Sequence, residues 1–515
     1  MKLARWLALG AAIVAAYLAL VLWAPAGFGI GAGTDGKPRW PNVVEDAYDR
    51  HAYQQRGRWL PAGGQPYLEV FSEYPQLTTW FFGLAYFGFD HQVLRGEPFT
   101  AENDAIAKLR ALDLGVGPKD VEEMVKKTPK AQRNVLIERM PKGPQGAAAA
   151  DALRAAFAAQ DRVVAELTKN AEAYGRAHQV LMAPFYFALY VLVLLCLREM
   201  GAPPAWALVL FLPGPAFFAF NRFDVLPMVL VLGAVLALLR ERLLLAGVLL
   251  GLATMTKIWP IALAPLFVSY RLSSTWAGRR VGVWPWLARE ALAPAAACLG
   301  VCALVLALSY LQAGGGERGF DAMTRVYLWH DQDRKANHSS VLALMTAPER
   351  WNWLPAAARD RWEQIFKYAM VLPTLLLALS GLRTKAALLH AAGFTALACV
   401  IFQKFFSPQW VLWILPLLLP LAGRAKAYRV LLPLLAVLIY AQLPLLFYGD
   451  SKVTPNGLDP SPRFWFVTNA RVVLLFALWA LALWGALAER RRADPQRAEP
   501  GATTSAASSP PAPAR

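Results

Sequence analysis

The chain has 515 residues and a formal net charge of +17, and 57% of its residues are apolar whereas only 17% are charged. Long apolar runs recur between Leu3 and Leu487, and a soluble protein could not bury that much apolar surface. The positive charge does not indicate nucleic-acid binding, because much of it lies at the ends of apolar runs, where Lys and Arg retain loops in the cytoplasm.

The first apolar run follows Lys2 and Arg5 and resembles a signal peptide. It is about as long as a full span of roughly 20 residues, and no clean small-x-small cleavage site follows it. We therefore expect an uncleaved first transmembrane helix over residues 3–23, with the N-terminus in the cytoplasm. The chain is then expected to stay outside from about residue 24 to residue 177.

The later apolar runs predict helices that alternate in direction, which gives an all-α, polytopic membrane protein with about twelve transmembrane helices and both termini inside. The predicted spans are 178–197, 205–220, 223–239, 243–256, 258–270, 290–311, 364–382, 386–402, 409–422, 430–447 and 470–488. Every inward turn then carries Arg or Lys, as the positive-inside rule requires. The short pair on either side of Lys257 is expected to be a broken or dipping pair.

The chain divides into four predicted regions. Residues 1–89 hold the first helix, an outer loop and the apolar segment 74–89, which is short for a core of about 30 Å and is interpreted as interfacial or re-entrant. Residues 90–177 predict a soluble helical insertion on the outer face, and 178–492 predict a bundle of about eleven transmembrane helices. The Ala/Ser/Pro-rich residues 493–515 predict a disordered cytoplasmic tail.

The outer loop after the first helix carries acidic and aromatic side chains. A carboxylate there could act as a general base on an acceptor hydroxyl at the membrane surface, and a solvated acidic loop is the alternative. The candidates for the base are Asp49 and Asp46, and the candidates for substrate contact are Tyr53, Tyr67, Glu73 and Tyr74.

Charged residues also interrupt the apolar part of the chain. Arg222 and Asp224 lie between two predicted spans, where they could meet a phosphate or simply cap and anchor a helix. Lys257 stands alone in apolar sequence, and because a charge there is costly, we expect it to face a cavity or a partner.

Two further outer segments complete the set of candidates. His330 and Arg334 belong to a dense polar loop, and the His and Asp residues of that loop match no metal-ligand pattern. Ser407 and Gln409 open a later span, where a helix start with an aromatic belt is the alternative. The four cysteines lie within apolar runs and predict no disulfide framework, and no cofactor is predicted.

The order of these motifs resembles a known family. An Asp-containing loop with Pro66-Tyr67 and Glu73-Tyr74-Pro75 is followed by Asn221-Arg222-Phe223-Asp224, by a segment from Gly251 to Pro260 with Lys257, and by Ser407-Pro408-Gln409-Trp410. This order is similar to that of the GT-C superfamily of polyprenol-phosphate-dependent glycosyltransferases. Within it, the chain resembles the bacterial alpha-mannosyltransferase family that contains the phosphatidylinositol-mannoside enzymes. The similarity covers most of the chain except residues 90–177 and the tail.

The resemblance implies a polyprenyl-phosphate-sugar donor, a catalytic Asp in the first outer loop and inversion at the anomeric carbon. Asp49 is the first choice for the base and Asp46 the second. Arg222, Lys257 and Arg334 would hold the donor phosphate, and Gln409 would contact the sugar or the acceptor. The chain departs from the family pattern at Gln76 and in the insertion, which leaves the acceptor open.

The predicted function is the transfer of one sugar, mannose, from this donor to a lipid or glycan acceptor at the extracytoplasmic face of the bacterial inner membrane. The expected partners are the donor, the acceptor and the bilayer. Two alternatives stay open: a transporter or flippase for a lipid-linked sugar, which should show repeat symmetry between its halves, and a relative that transfers a whole oligosaccharide.

Overall fold

The structure of the protein is a computed structural model, and it describes most of the chain between Lys2 and Arg492. The described residues are 2–23, 47–62, 65–68, 72–88, 104–105, 108–109, 111–112, 125, 133–138, 140, 143–278, 280–332, 337, 339–346, 350–351, 353–355, 358–447, 450–454 and 457–492. The predicted tail therefore lies outside the described residues, as does most of the segment from residue 89 to residue 132.

The described fold is helical, which confirms the predicted all-α class. The α-helices of the first half are α1 (Lys2–Trp23), α2 (Ala47–Gly57), α3 (Trp59–Ala62), α4 (Gln76–Leu84), α5 (Arg133–Glu138), α6 (Pro144–Glu199), α7 (Pro213–Asn221), α8 (Val225–Leu239) and α9 (Leu243–Thr256). Single 3₁₀ segments follow or precede them at Ala85–Gly88, Pro204–Phe211 and Trp259–Leu263.

The second half continues the helical pattern. Its α-helices are α10 (Ala264–Thr275), α11 (Val283–Leu287), α12 (Ala293–Gln312), α13 (Gly316–Gln332), α14 (Val341–Thr346), α15 (Arg359–Leu379), α16 (Lys385–Ile401), α17 (Val411–Leu418), α18 (Lys426–Tyr440) and α19 (Pro462–Arg492). Shorter 3₁₀ segments are Trp276–Gly278, Pro408–Trp410 and Leu419–Leu421, and π-helical turns are Ala288–Leu292 and Ala441–Phe447. A small antiparallel hairpin, β1 (Lys452–Thr454) and β2 (Gly457–Asp459), precedes α19.

In the described part of the chain, five helical segments are long and apolar enough to cross a membrane. They are Leu3–Trp23, Leu167–Glu199, Val283–Gln312, Lys426–Phe447 and Pro462–Arg492. The pair Pro204–Phe211 and Pro213–Asn221, bent by 63°, raises the number to six if it forms one span. Other predicted spans correspond to shorter apolar helices such as α8 and α9, which reach only about 20–25 Å at 1.5 Å per residue. The count of about twelve stays a prediction.

The helix α16 lies at the centre of the bundle. Every residue from Ala386 to Ile401 is buried, and α10, α15, α17 and α19 pack around it. All of α17 is buried as well. Because these helices are apolar on all sides and enclosed by protein, they hold the polar residues at their ends in fixed positions.

The helix α6 is continuous over 56 residues and begins with Pro144 at its first position, where proline's missing N–H costs no helical hydrogen bond. It therefore runs from the predicted insertion directly into the predicted span that starts at residue 178. Its N-terminal part packs against the described insertion residues Ala105, Leu109 and Val125, and its C-terminal part packs in the bundle.

Two helix breaks position the polar residues of the bundle. Helix α7 ends at Asn221 and leaves Arg222 extended, and α9 ends at Thr256 and leaves Lys257 extended. The break at Lys257 is the one that the sequence predicts. Since α8 and α9 form a hairpin, Asp224 and Lys257 lie together at one end, and the Arg240–Arg242 turn lies at the other, about 22 Å away along α8.

Candidate active site

A first ion pair joins Lys257 to Asp224. The Lys257 Nζ atom lies 3.1 Å from Asp224 Oδ1, and the Asp224 side chain is completely buried. The same oxygen accepts a hydrogen bond of 2.8 Å from the indole N–H of Trp413, which lies in α17. The other oxygen, Asp224 Oδ2, receives no hydrogen bond from any residue that the structure describes.

Aromatic rings surround the Lys257 ammonium group. Its Nζ atom lies 4.4 Å from the ring centre of Phe223, 5.3 Å from that of Trp413 and 5.4 Å from that of Tyr74. The negative faces of aromatic rings attract a cation, and they also replace part of the water that a buried ammonium group loses. Lys257 therefore has one carboxylate partner within an otherwise aromatic enclosure.

A second ion pair joins Arg222 to Asp49, which lies in the first turn of α2. The Arg222 side chain is 5% exposed and the Asp49 side chain 20% exposed. Asp49 is thus the more accessible partner. The helix that carries it, α2, packs on α4, α6 and α7. Arg222 and Asp224 stand on either side of Phe223, so the two ion pairs are neighbours.

Tyr53 and Tyr74 connect the α2 segment to the ion pair of Lys257 and Asp224. The ring of Tyr53 stacks on Phe82 at 4.4 Å and meets Phe223 and Tyr74 edge-on at 5.7 Å and 5.9 Å. Tyr74 also meets Phe223 at 5.0 Å. These rings form one packed cluster between Asp49 and Lys257, with the edge-to-face geometry that aromatic pairs favour.

The segment before α4 is held by a polar network. Glu73 forms a forked ion pair with Arg56, with distances of 2.6 Å and 2.9 Å. The Tyr67 hydroxyl lies 2.5 Å from the Tyr74 carbonyl oxygen and 2.9 Å from Thr79 Oγ1. Burial raises the pKa of Tyr67 well above its usual range, so the hydroxyl stays protonated and donates.

The backbone of Tyr67 is strained, with a φ of 70° that side-chain-bearing residues rarely adopt. Arg325 of α13 donates to the Tyr67 carbonyl oxygen at 2.6 Å, which helps to hold this conformation. Gln76 of α4 also contacts α13. Its side chain donates a hydrogen bond to the Met323 carbonyl oxygen at 3.2 Å and accepts one from the Tyr327 hydroxyl at 3.1 Å. The residue that departs from the family pattern is thus a link between α4 and α13.

Gln409 is buried in the 3₁₀ segment Pro408–Trp410, and Ser407 directly precedes that segment. The side-chain oxygen of Gln409 accepts no hydrogen bond from the described residues. The next residue, Trp410, stacks on Trp413 at 4.8 Å, and Trp413 stacks in turn on Trp259 at 5.1 Å. This row of three indoles connects the Gln409 segment to Asp224.

The structure brings most of the predicted site residues into one region. The two ion pairs and the aromatic cluster unite Asp49, Tyr53, Tyr74, Arg222, Asp224 and Lys257, and Tyr67 and Glu73 support them. Asp46 and Arg334 lie outside the described residues, and His330 belongs to α13 with a side chain that the structure does not describe. Of the three cations predicted to bind the phosphate, Arg222 and Lys257 each face a carboxylate.

Sequence reasoning missed three residues of this region. Trp413 donates to Asp224, Phe223 lies beside the Lys257 ammonium group, and Arg56 pairs with Glu73. The spacing of Trp410 and Trp413, which puts them on one helix face, was a usable signal, but it is also typical of an aromatic belt at the membrane surface. Nothing local indicates the partner of Arg56.

No group of three or more His, Cys, Asp or Glu side chains that could hold a metal ion occurs within the described ranges. The absence of a cofactor stays a prediction.

A comparison with models of protein families gives a match. A family model described as Mannosyltransferase (PIG-M) matches residues 221–484, which begin at the α7 break and include Arg222, Asp224, Lys257 and Gln409. No curated protein matches the chain. Asp49 lies outside the matched range, so its place in the site rests on the ion pair with Arg222.

Proposed function

The chain belongs to the mannosyltransferase (PIG-M) family, and from this premise we propose that it transfers a single mannose from a polyprenyl-phosphate donor to a lipid or glycan acceptor, with Asp49 as the general base. It is a glycosyltransferase, and its apolar helices and its family indicate a multi-pass membrane protein.

The observation that carries the proposal is the pair of neighbouring ion pairs at two helix breaks. Asp49 with Arg222 and Asp224 with Lys257 place two carboxylates and two cations around Phe223. In a bilayer, non-helical backbone is tolerated where it is buried in protein or lines a cavity, and charged residues there usually serve a ligand. Such a site suits a substrate that carries both a phosphate and hydroxyl groups.

The reaction needs a base for the acceptor and stabilisation of the leaving group. The Asp49 carboxylate accepts the proton of the acceptor hydroxyl, whose oxygen forms a bond to the anomeric carbon from the face opposite the phosphate. The bond between that carbon and the phosphate oxygen breaks, and its electron pair leaves with polyprenyl phosphate. The product therefore has the inverted anomeric configuration, and Asp49 releases its proton to water afterwards.

Arg222 and Lys257 can bind the donor phosphate even though each is paired with a carboxylate. A guanidinium group has five N–H donors and an ammonium group has three, so Arg222 and Lys257 can each bind a carboxylate and a phosphate oxygen together. The negative charge that develops on the leaving phosphate then lies near two fixed cations. Removing one such stabilising contact typically costs about 10²–10³ in rate.

Two buried acceptor atoms support binding of a sugar. Asp224 Oδ2 and Gln409 Oε1 receive no hydrogen bond from the described residues. A buried acceptor without a donor costs about 1–3 kcal/mol, and sugar hydroxyls would supply the missing donors. Asp224 and Gln409 are therefore proposed to bind the mannose of the donor.

We propose the subfamily and the membrane location of the protein together with its reaction. The bacterial phosphatidylinositol-mannoside type of enzyme is the proposed subfamily. The proposed location is the inner membrane, with both termini in the cytoplasm and the site on the outer face, since the basic turns such as Arg240–Arg242 lie at the other end of the helices.

The test uses purified protein in lipid with radiolabelled polyprenyl-phosphate-mannose. We expect Asp49→Asn to lose transfer and hydrolysis by about 10²–10⁴, as is typical for loss of a general base, whereas Asp46→Asn retains activity. Asp151→Asn is the matched control, because it removes the Asp of an exposed pair with Arg154, far from the site. Sugar release that persists in Asp49→Asn would overturn the assignment of the base.

A second outcome would overturn the reaction itself. If the wild type neither transfers nor hydrolyses a lipid-linked sugar but moves one across vesicles, the chain is a transporter. Transport that survives Asp49→Asn would support the same conclusion, because a flippase needs no general base.

A further inference from the structure

Arg471 in α19 is a completely buried cation outside the described ion pairs. No carboxylate lies within 4.0 Å of it among the described residues. Its Nη1 donates to Gln442 Oε1 at 3.0 Å, its Nη2 donates to the Ser339 carbonyl oxygen at 2.7 Å, and its guanidinium carbon lies 3.6 Å from the ring centre of Phe406. The partners of Arg471 that the structure describes are therefore all neutral.

The burial of Arg471 costs more free energy than a side chain that only fills space would cost. Burying a charge without an opposite charge costs free energy, and an apolar side chain of similar volume fills such a position at lower cost. The buried cations Arg222 and Arg271, by comparison, each face a carboxylate. An arginine in neutral surroundings is thus better explained by the contacts that its donors make than by the space it fills.

Those contacts hold two separate segments together. Arg471 binds the Ser339 carbonyl, and it covers the ring of Phe406. Asn337 joins the same two segments, because its side chain donates to the Phe406 carbonyl at 2.6 Å and accepts from the Phe406 N–H at 3.0 Å. Phe406 is thereby fixed through its backbone by Asn337 and through its ring by Arg471.

Phe406 is connected to the candidate site by a row of contacting side chains. Its ring meets Trp410 at 5.9 Å, Trp410 stacks on Trp413 at 4.8 Å, and the Trp413 N–H binds Asp224 at 2.8 Å. Gln409 lies within the same short segment. A shift of Phe406 would therefore be passed through packed rings to the carboxylate that faces Lys257.

We propose that Arg471 is a positioning residue of the transfer reaction, which holds Phe406 so that Gln409 and the Trp410–Trp413 row keep Asp224 in place. The proposal rests on the proposed function for its kinetic consequences, and it concerns contacts that no site prediction from the sequence included. Displacement by about 1 Å from a distant change can cost about 10²-fold in rate.

The kinetic experiment compares Arg471→Met and Arg471→Lys with Arg463→Met, which removes an exposed arginine from the same helix. We expect Arg471→Met to lower kcat/KM for the polyprenyl-phosphate-mannose donor about tenfold to a hundredfold, Arg471→Lys to recover part of it, and Arg463→Met to change nothing. Equal activities of Arg471→Met and wild type would overturn the proposal.

A double-mutant cycle separates positioning from general loss of stability. If Arg471 acts through the indole row, Arg471→Met should add little to the loss caused by Trp413→Phe, because residues that act through one contact are not additive. Fully additive losses would overturn the proposal. If Arg471→Met fails to fold, Asn337→Ala takes its place in the cycle, since it releases Phe406 without changing a buried charge.

Hydrogen exchange gives a readout that does not depend on activity. We expect faster exchange in the peptide that contains residues 404–412 in Arg471→Met but not in Arg463→Met. Unchanged exchange would overturn the structural link even in an active enzyme. A wild type without transferase activity would instead refute the proposed function, while the exchange result would still test the link.

Discussion

Ion pairs occur at both ends of the α8–α9 hairpin, and the two sets differ. The site cluster consists of Asp49, Arg222, Asp224 and Lys257, whose cations are 5% and 15% exposed and lie at helix breaks. The opposite-end cluster consists of Glu199 with Arg240 and Lys385, and of Glu290 with Arg271. There, Arg240 and Lys385 are 40% and 42% exposed, whereas Arg271 is 5% exposed.

The surroundings of Lys257 and Lys385 differ even more than the exposure of these two lysines. Three aromatic rings lie within 5.4 Å of the Lys257 Nζ atom, whereas Lys385 is half in solvent and joins the start of α16 to the end of α6. Exposed pairs contribute about 0–1 kcal/mol to stability and are screened by salt. An ion pair alone therefore does not indicate a site. The Lys257 pair differs from the exposed pairs by its burial at a helix break and by its aromatic enclosure, and the proposed site rests on that difference.

The strongest test of this comparison replaces one lysine in each cluster. Lys257→Met should lower the transfer rate by about 10²–10³, because it removes a fixed cation near the leaving phosphate. Lys385→Met, which removes a lysine that pairs with Glu199 at 2.9 Å, should leave the rate within about twofold, since exposed pairs matter little. Initial rates per folded molecule measure both, and comparable losses would remove the distinction between the clusters.

A smaller effect is expected at Trp413. Trp413→Phe keeps an aromatic ring beside Lys257 but removes the N–H that binds Asp224, and hydrogen bonds to charged groups contribute about 1.5–3 kcal/mol, or about tenfold to a hundredfold in rate. The control is Trp479→Phe, because the Trp479 N–H has no hydrogen-bond partner among the described residues. Equal rates for the two variants would show that the Trp413 hydrogen bond does not serve the reaction.

The smallest effect on the transfer rate is expected for a substitution of Glu290. That substitution should instead lower the stability of the protein. Glu290→Gln leaves the buried Arg271 with a neutral neighbour, and breaking such a pair costs about 3–5 kcal/mol. Thermal unfolding should show a lower Tm than for Glu241→Gln, whose side chain is 69% exposed and lies 3.5 Å from Arg271. The transfer rate per folded molecule should match the wild type, and a selective loss of rate would place the opposite-end cluster in the mechanism.

The sequence predicted one helix break of this region. The apolar segments on either side of Lys257 are short, which indicated a broken pair, and α9 does end at Thr256. The candidates Asp49, Tyr53, Tyr74, Arg222 and Asp224 do come together. The number of spans was harder to predict, because hydropathy identifies apolar runs but does not show that helices such as α8 or α16 are enclosed by protein.

The pairing of the charges could not be read from the sequence. Arg222 pairs with Asp49 rather than with its near neighbour Asp224, and Asp224 pairs with Lys257. Arg471 gave no signal because it stands among apolar residues of a long helix and its partners are far away in the chain. Contacts between distant segments depend on how helices pack, and no local spacing encodes that.

The sequence by itself therefore determined the helical class, the membrane character and the residue types available for chemistry, since these follow from composition and local apolar patterns. The tertiary structure decided which carboxylate neutralises which cation, that aromatic rings enclose Lys257, and that a remote arginine is fixed against Phe406. The physical reason is that burial and electrostatic pairing are properties of packed helices, which a single segment does not possess.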